Sequence, residues 1–502
     1  MSQKKIEIFE PLKNKKSNKK IHPYTLYLIP YTLYLLPFTF YLLASSPAAA
    51  QNEKTWSLKE CIDYAINNNI RIKQSKLNVD LAAEDLLQSK ASALPNVNVF
   101  ASHNYNFGRT VDPFTNEFVD KRVQSNSFSI SGQVTLFSGF KTYNTIRQNE
   151  HNFTTAKYDT DIKVNDITLA VAGNYLQILF DKELAAIARN QVLITKEQLE
   201  RTGKLVEAGM LAKGSLLQIE AQYSLDELQQ VATQNQLDLS MLQMMQLLYI
   251  EPGSGFDIAS PRIELPENTS VLGTPGQIYD AALAVQPQIK SANSKILSSE
   301  KGLAVAKGGH SPSLTLGGSY GTGYSDARST LTGGALVYDT VGFTGSGDDV
   351  IIPTYNYITT TTPFKDQIND NINKTIGFNL SIPIFNGLQT KTGVSRAKIA
   401  LKNAGYNMDL EKLLLKENIQ KAFQDAVAAL KKYRASEKTV NSLQESFNYT
   451  KQKFDVGMVT AVEFNDAKNK LVKSQSDLLQ AKYDYIFKSK ILDFYQGKPL
   501  DF

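Results

Sequence analysis

The sequence predicts a mixed fold in which four amphipathic β-strands of membrane-spanning length are joined to long α-helices that pair as antiparallel coiled coils. Three observations predict it. Four segments alternate strictly between apolar and polar residues, two stretches run far beyond an ordinary helix without a proline, and the whole pattern occurs twice.

The strands are expected at about 96–107, 126–137, 313–324 and 375–385. In the first, Val97, Val99, Ala101, Tyr105 and Phe107 fall on one face, and Asn98, Ser102, Asn104 and Asn106 on the other. In the last, Ile376, Phe378, Leu380, Ile382 and Ile384 alternate with Thr375, Asn379 and Ser381. Period two places one side chain type on each face of a strand. Each run is roughly 10 residues, the length of a β-strand that crosses a bilayer. The polar faces carry Ser, Thr, Asn and Gly rather than charges, which suits a wetted lumen. A soluble sandwich with one wet face would explain the alternation, but not the helices between the strand pairs.

From about Lys141 to Val206 there is no proline, and a helix of that length would run for roughly 100 Å. The returning segment places Leu225, Leu228, Ala232, Asn235, Leu239 and Leu242 at alternating spacings of three and four, and Leu443, Phe447, Thr450 and Phe454 repeat this in the second half. This is coiled-coil spacing. A glycine separates the members of each helix pair, in Val206-Glu207-Ala208-Gly209-Met210-Leu211 and in Phe454-Asp455-Val456-Gly457-Met458-Val459. Glycine there ends one helix in the left-handed backbone at little cost.

The halves align residue by residue. Ala65 with Ala282 and Pro95 with Pro312 share one offset; Phe137 with Phe385 and Gly209 with Gly457 share a larger one. The difference places extra residues between Pro312 and Phe385. The expected organisation is a first repeat at 51–250, an irregular Pro- and Gly-rich linker at 251–275, a second repeat at 276–497 and a short tail at 498–502.

Residues 1–50 differ from the rest. Seven lysines precede an apolar run from Tyr24 to Leu43, and Ala48-Ala49-Ala50 follows. Basic, apolar and small segments in that order read as a secretory signal peptide cleaved before Gln51. Without them the acidic and basic residues are equal in number, so the basic excess argues for targeting and not for nucleic acid. Cys61 is the only cysteine, which excludes an intrachain disulfide and a cysteine-cluster metal site; a small apolar role on a helix face is expected.

Four strands cannot close a barrel, and an open sheet edge facing lipid would leave backbone groups unpaired at several kcal/mol each. The chain is therefore expected to close a barrel with copies of itself. Two copies give eight strands with a filled interior, and three give twelve with an aqueous lumen.

Ser57-Leu58-x-Glu60-Cys61-Ile62-x-x-Ala65 opens the first repeat, Leu94-Pro95 and Ser311-Pro312 precede the strands, and Leu136-Phe137-Ser138-Gly139 and Ile384-Phe385-Asn386-Gly387 follow them. With the two glycine turns, these motifs make the chain resemble the TolC-type outer-membrane efflux family from about Leu58 to Gln496. The resemblance implies a homotrimer in the outer membrane of a Gram-negative bacterium, with a twelve-stranded barrel in outer-membrane lipid and a helical tunnel in the periplasm. It implies an exit duct that conducts substrates passively. Docking to a periplasmic adaptor (membrane fusion) protein would involve Ala208, Gly209, Met210, Leu211, Val456, Gly457, Met458 and Val459. Through the adaptor the duct would meet an inner-membrane pump or ABC exporter, either for efflux or, alternatively, for type I protein secretion.

The family often places acids six and nine positions past the second turn glycine. Glu463 and Asp466 stand there, against Ser215 and Gln218 in the first half. Copies of the two acids around the periplasmic mouth would form a cation-attracting ring. Members that close the mouth by polar links between neighbouring turns use positions held here by Phe454, Val459 and Ser215, and the first two cannot form them.

No catalytic, cofactor or metal site is expected. The four histidines show no metal spacing, and GxxxxGK[ST] and GxSxG are absent. Asp348-Asp349 lies in a glycine-rich stretch that reads as a solvated loop. A surface adhesin or structural rod would need an exposed binding domain; only the segment between Tyr324 and Asn373 is long enough, and it reads as an extracellular cap.

Overall fold

The computed structural model describes residues 55–120, 122–251, 255–261 and 273–500. The expected signal segment at 1–50 and most of the linker at 251–275 lie outside them. The chain divides into two compact units. Of the smaller, 1–55 with 255–257, only Thr55 and Gly255–Asp257 are described; the larger comprises 56–254 and 258–502.

Two-residue strands and one short 3-10 turn aside, the larger unit runs α1 (Leu58–Asn68), α2 (Ile70–Ala91), β1 (Asn96–Asn106), β2 (Val123–Phe137), α3 (Lys141–Glu207), α4 (Lys213–Leu248), α5 (Pro275–Val285), α6 (Pro287–Lys307), β3 (Ser313–Ser325), β4 (Ser329–Phe343), β5 (Asp349–Thr361), α7 (Phe364–Asp370), β6 (Asn373–Ser381), α8 (Gln389–Asp455) and α9 (Ala461–Tyr495). α1 and α5 start in the same way. Ser57 with Glu60, and Thr274 with Gln277, form capping boxes that satisfy the first free amides.

The strand pairs feed the long helices through one corner used twice. Gly139 and Phe140 both take left-handed backbone (φ 63° and 59°), as do Gly387 and Leu388 (φ 59° and 65°). Glycine is required at 139 by space as well, because a Cβ there would lie 2.4 Å from the Ser311 Cβ. α3 and α8 then run for 67 residues each, roughly 100 Å, with no interior proline. Among the described residues no helix is long and apolar enough to cross a membrane.

The helical core has two centres. Val171, Tyr175 and Ile178 of α3 are fully buried, as are Cys61 of α1 and Met244 and Leu248 of α4. The Tyr175 hydroxyl donates to the carbonyls of Ala259 (2.7 Å) and Trp56 (3.3 Å). Burial pushes the Cys61 thiol up to about 12, so it packs as a small hydrophobe. In the second half Ile278, Ala282, Ile289, Ile419, Ala426 and Leu492 join α5, α6, α8 and α9. The halves meet where Ser294 and Ser298 of α6 donate to His151 O and Asn152 Oδ1 of α3.

One expectation about packing is corrected. Leu225, Leu228 and Leu239 do not form the seam that α4 buries; they are 59%, 66% and 53% exposed. The buried stripe of α4 is instead Ile219, Asp226, Thr233 and Ser240, at seven-residue spacing. Spacing identifies an apolar face, but not whether the same chain covers it. The partly polar stripe is the one closed within the chain, and the leucine face is left uncovered.

The four long strands form one antiparallel sheet in the order β6-β3-β2-β1. The pairing register carries polar rows across all four strands: Asn98–Ser131–Ser319–Thr375 is one, and Asn96–Gln133–Gly317–Gly377 the next. Val99–Ile130–Tyr320 and Val134–Leu316–Phe378 run across the opposite face. That face is bare: Val99, Ile376 and Phe378 are 78%, 80% and 72% exposed. Phe100, an aromatic on the polar face beside Ser129, and Lys374, on the apolar face opposite Tyr320, depart from the pattern. The last strand ends at Ser381, four residues before the expected limit, so Ile382 and Ile384 lie in the corner leading to α8.

The extra residues of the second half form a β-hairpin and a short helix, not an irregular loop. β4 and β5 pair with each other alone. Asp348 sits in their connecting turn, where it accepts from Ser346 Oγ at 2.9 Å.

Candidate functional site

Both helix pairs turn at the same end of the larger unit, and the two turns share a cleft of about 590 Å³ whose lining includes Leu211, Ser215, Phe454, Met458, Thr460 and Glu463. Each turn closes with the same hydrogen bonds. Met210 N donates to Leu205 O and Gly209 N to Val206 O; Met458 N donates to Lys453 O and Gly457 N to Phe454 O. This six-to-one closure needs a left-handed residue, and Gly209 (φ +71°) and Gly457 (φ +78°) supply it. Nothing lies within 4 Å of where a Cβ would stand at either glycine, so only backbone strain opposes a side chain.

The turns present apolar side chains to solvent: Met210, Val456 and Met458 are 72%, 68% and 75% exposed. Ala208 is exposed beside them, and Leu211 and Val459 are half-buried. Phe454 turns inward and stacks on Phe464 with ring centroids 4.7 Å apart. Phe447 packs on the same ring at 5.5 Å, and Phe464 is 1% exposed.

The structure assigns the two acids local work. Glu463 completes a capping box at the start of α9: its carboxylate accepts from Thr460 N at 2.8 Å and from Thr460 Oγ1 at 3.2 Å. Asp466 pairs with Lys470 one turn later at 2.7 Å. Both acids remain exposed. The first half has Ala212 at its N-cap and no side-chain cap, so Ser215 has no equivalent duty. The Thr460-x-x-Glu463 pattern was legible in the sequence as a capping box. Two further features had no local sequence signal. Arg201 of α3 makes an ion pair with Asp455 at the end of α8 and donates to its carbonyl at 3.2 Å, which ties one turn to the other.

The second missed feature lies further along the helices. Lys468 of α9 is 2% exposed and donates to Asp226 Oδ2 of α4 (2.8 Å) and Thr195 Oγ1 of α3 (2.7 Å). Thr195 also bonds Asp226, and Gln222 Nε2 donates to the other carboxylate oxygen at 2.8 Å. Burial pushes the ammonium below the usual lysine range, and the Asp226 carboxylate opposes that fall. One buried ion pair thus joins three helices from both halves.

A bare four-stranded sheet, two helix pairs whose longer members run about 100 Å and two apolar turns at one end define a membrane channel component with a long helical extension. The chain belongs to the outer membrane efflux protein family, whose pattern it matches over residues 61–248 and again over 278–497. It lies in the outer membrane, with its helical part in the periplasm, and acts as an exit duct for efflux or secretion. It is 22% identical to the outer membrane protein TolC of Escherichia coli (strain K12) over 448 residues, 88% of this chain and 81% of that protein. The alkaline protease secretion protein AprF of Pseudomonas aeruginosa is 21% identical over 336 residues, 66% of this chain and 61% of that protein. Among solved structures, the Campylobacter jejuni CmeC outer membrane channel superposes with a TM-score of 0.70 at 17% identity, covering 89% of this chain and 87% of that one. VceC from Vibrio cholerae gives 0.69 at 14% identity, covering 88% and 97%.

Proposed function

We propose that three copies of the chain close a twelve-stranded barrel and a continuous helical tunnel, and that the duct receives cargo at the paired turns from a periplasmic adaptor and an inner-membrane pump. The observation that carries this reading is the sheet. Its outer strands β1 and β6 have unpaired edges beside an apolar face, and only pairing with further copies satisfies them in lipid. The uncovered Leu225, Leu228 and Leu239 face of α4 suits the same closure along the helices. The halves 51–250 and 276–497 would be an internal duplication about the 251–275 linker, followed by the tail at 498–502. The exposed apolar positions at Met210, Val456 and Met458 suit a docking surface for a protein partner. A pump partner makes this an efflux duct. An ABC exporter would make it a secretion duct, the reading favoured by the name of the protease secretion relative.

At the mouth, Glu463 and Asp466 of three copies would form the acidic ring. Lys470 offsets Asp466, so Glu463 would supply most of the field. Replacing Glu463 by Gln and Asp466 by Asn is expected to lower cation selectivity in planar-bilayer recordings and to relieve block by multivalent cations, more at low salt. An unchanged reversal potential in the double variant would show that the acids serve only the capping box and the ion pair.

A further inference from the structure

We propose that the β4–β5 hairpin is an interface between copies of this chain, its aromatic face closing against the hairpins of neighbouring copies beyond the barrel. The inference rests on the barrel of several copies proposed above.

The pairing register defines the face. Leu331 opposes Thr359, Leu336 opposes Tyr355, Tyr338 opposes Pro353 and Phe343 opposes Asp349; Tyr357 and Ile351 lie on the same side of β5. All four aromatic residues of the hairpin therefore stand on one face. Tyr355 and Tyr357 stack there with centroids 5.7 Å apart. The opposite face is mixed, with Asp339, Thr354, Asn356 and Thr360 among its residues. Among the described residues nothing covers the aromatic face: Leu336, Tyr338, Tyr355 and Tyr357 are 49%, 63%, 55% and 60% exposed. A lone two-stranded hairpin is marginal in water, and an uncovered apolar face of this kind marks a contact surface.

The hairpin is not a loose tether. Its base is clamped by Gln367, fully buried, whose Nε2 donates to Ser325 O and Thr362 O and whose Oε1 accepts from Ser325 N. Arg328 pairs with Asp370 at 3.1 Å and donates to Asn371 at 2.7 Å. The face is thus presented from a fixed root between the adjacent sheet strands β3 and β6.

Charge and reach choose the occupant. Between Ser329 and Thr361 there is no lysine or arginine, while Asp339, Asp348 and Asp349 are present. An anionic lipid surface is bound through basic residues, so this hairpin is poorly made for one. A second copy is within reach. Neighbouring hairpins would be rooted four strands apart, roughly 20 Å along the rim, whereas strands of this length extend roughly 45 Å.

Cysteine cross-linking in native outer membranes tests the proposal. Cys61 is buried, so the natural chain is a silent background. Leu336→Cys and Tyr357→Cys should give covalent oligomers with a short bismaleimide and resist a bulky maleimide. Asn356→Cys, on the opposite face, should label freely without cross-linking. Free labelling of both face variants with no covalent product would overturn the proposal. So would protection without cross-linking accompanied by quenching of a bimane label by brominated lipid, which would place lipid on the face. Unboiled gels of the same samples separate the two readings: an intact oligomer band without cross-links overturns this interface alone, and no oligomer band overturns the barrel as well.

Discussion

Asp226→Ala should destabilise the folded chain by about 3–5 kcal/mol, because it strands a buried ammonium without its counter-charge. Lys468 is held at the junction of α3, α4 and α9 and is 2% exposed, so bulk solvent is a poor substitute for the carboxylate. Removing both charges with Asp226→Leu and Lys468→Met should cost far less, since an apolar pair of similar volume carries no desolvation penalty. Thermal or denaturant unfolding of the single and double variants checks both statements. A pH dependence should accompany them. The folded-state pKa of Lys468 is depressed, so the unfolded chain binds more protons between that value and the ordinary lysine range. Stability from this group therefore rises with pH through that window. In Asp226→Asn the lysine loses its supporting charge, and the window should extend to lower pH. Equal stability of Asp226→Ala and the natural chain would show that the cluster is solvated and contributes nothing.

Met210→Asp together with Met458→Asp should weaken adaptor binding by more than about 100-fold, if each exposed methionine contributes the roughly 2 kcal/mol of an interface anchor. Export through the duct should fall to the level of a strain lacking it. Folding should be untouched, because both side chains are largely exposed and touch no core residue cluster. Gly457→Arg acts on the same surface with one added cost, about 1–2 kcal/mol of left-handed backbone strain. That strain is too small to unmake two helices of 67 and 35 residues. Binding of the detergent-solubilised variants to the cognate adaptor, measured beside their thermal unfolding, separates lost docking from lost folding. A double methionine variant that binds and exports normally would move the docking surface away from the turns.

The sheet and the turns were legible because each rests on a local rule. Alternation in Val97–Asn106 and Thr375–Ser381 needs only a pleated strand with two different surroundings, and Gly209 and Gly457 stand between two long helical patterns. What was not legible depends on distant partners. Lys468 and Asp226 look like ordinary charged positions on helices until the three helices meet. Arg201 and Asp455 give no hint of each other. The leucines of α4 were readable as an apolar face, but the chain itself covers a different stripe. Glu463 was read as a ring acid or a solvated helix position, and its capping bonds to Thr460 are a further duty that the ring reading did not include. The hairpin at 329–361 was not legible: only the length of the segment between Tyr324 and Asn373 stood out, and register shifts at Thr332 and Val341 break its alternation.

Native mass measurement of the channel released gently from outer membranes, paired with single-particle conductance in planar bilayers, tests closure of the sheet by further copies most directly. Three chains per conducting particle are expected, with no conductance from dissociated chains. A conducting particle with one chain, or a stable particle in which β1 and β6 stay unpaired, would contradict it.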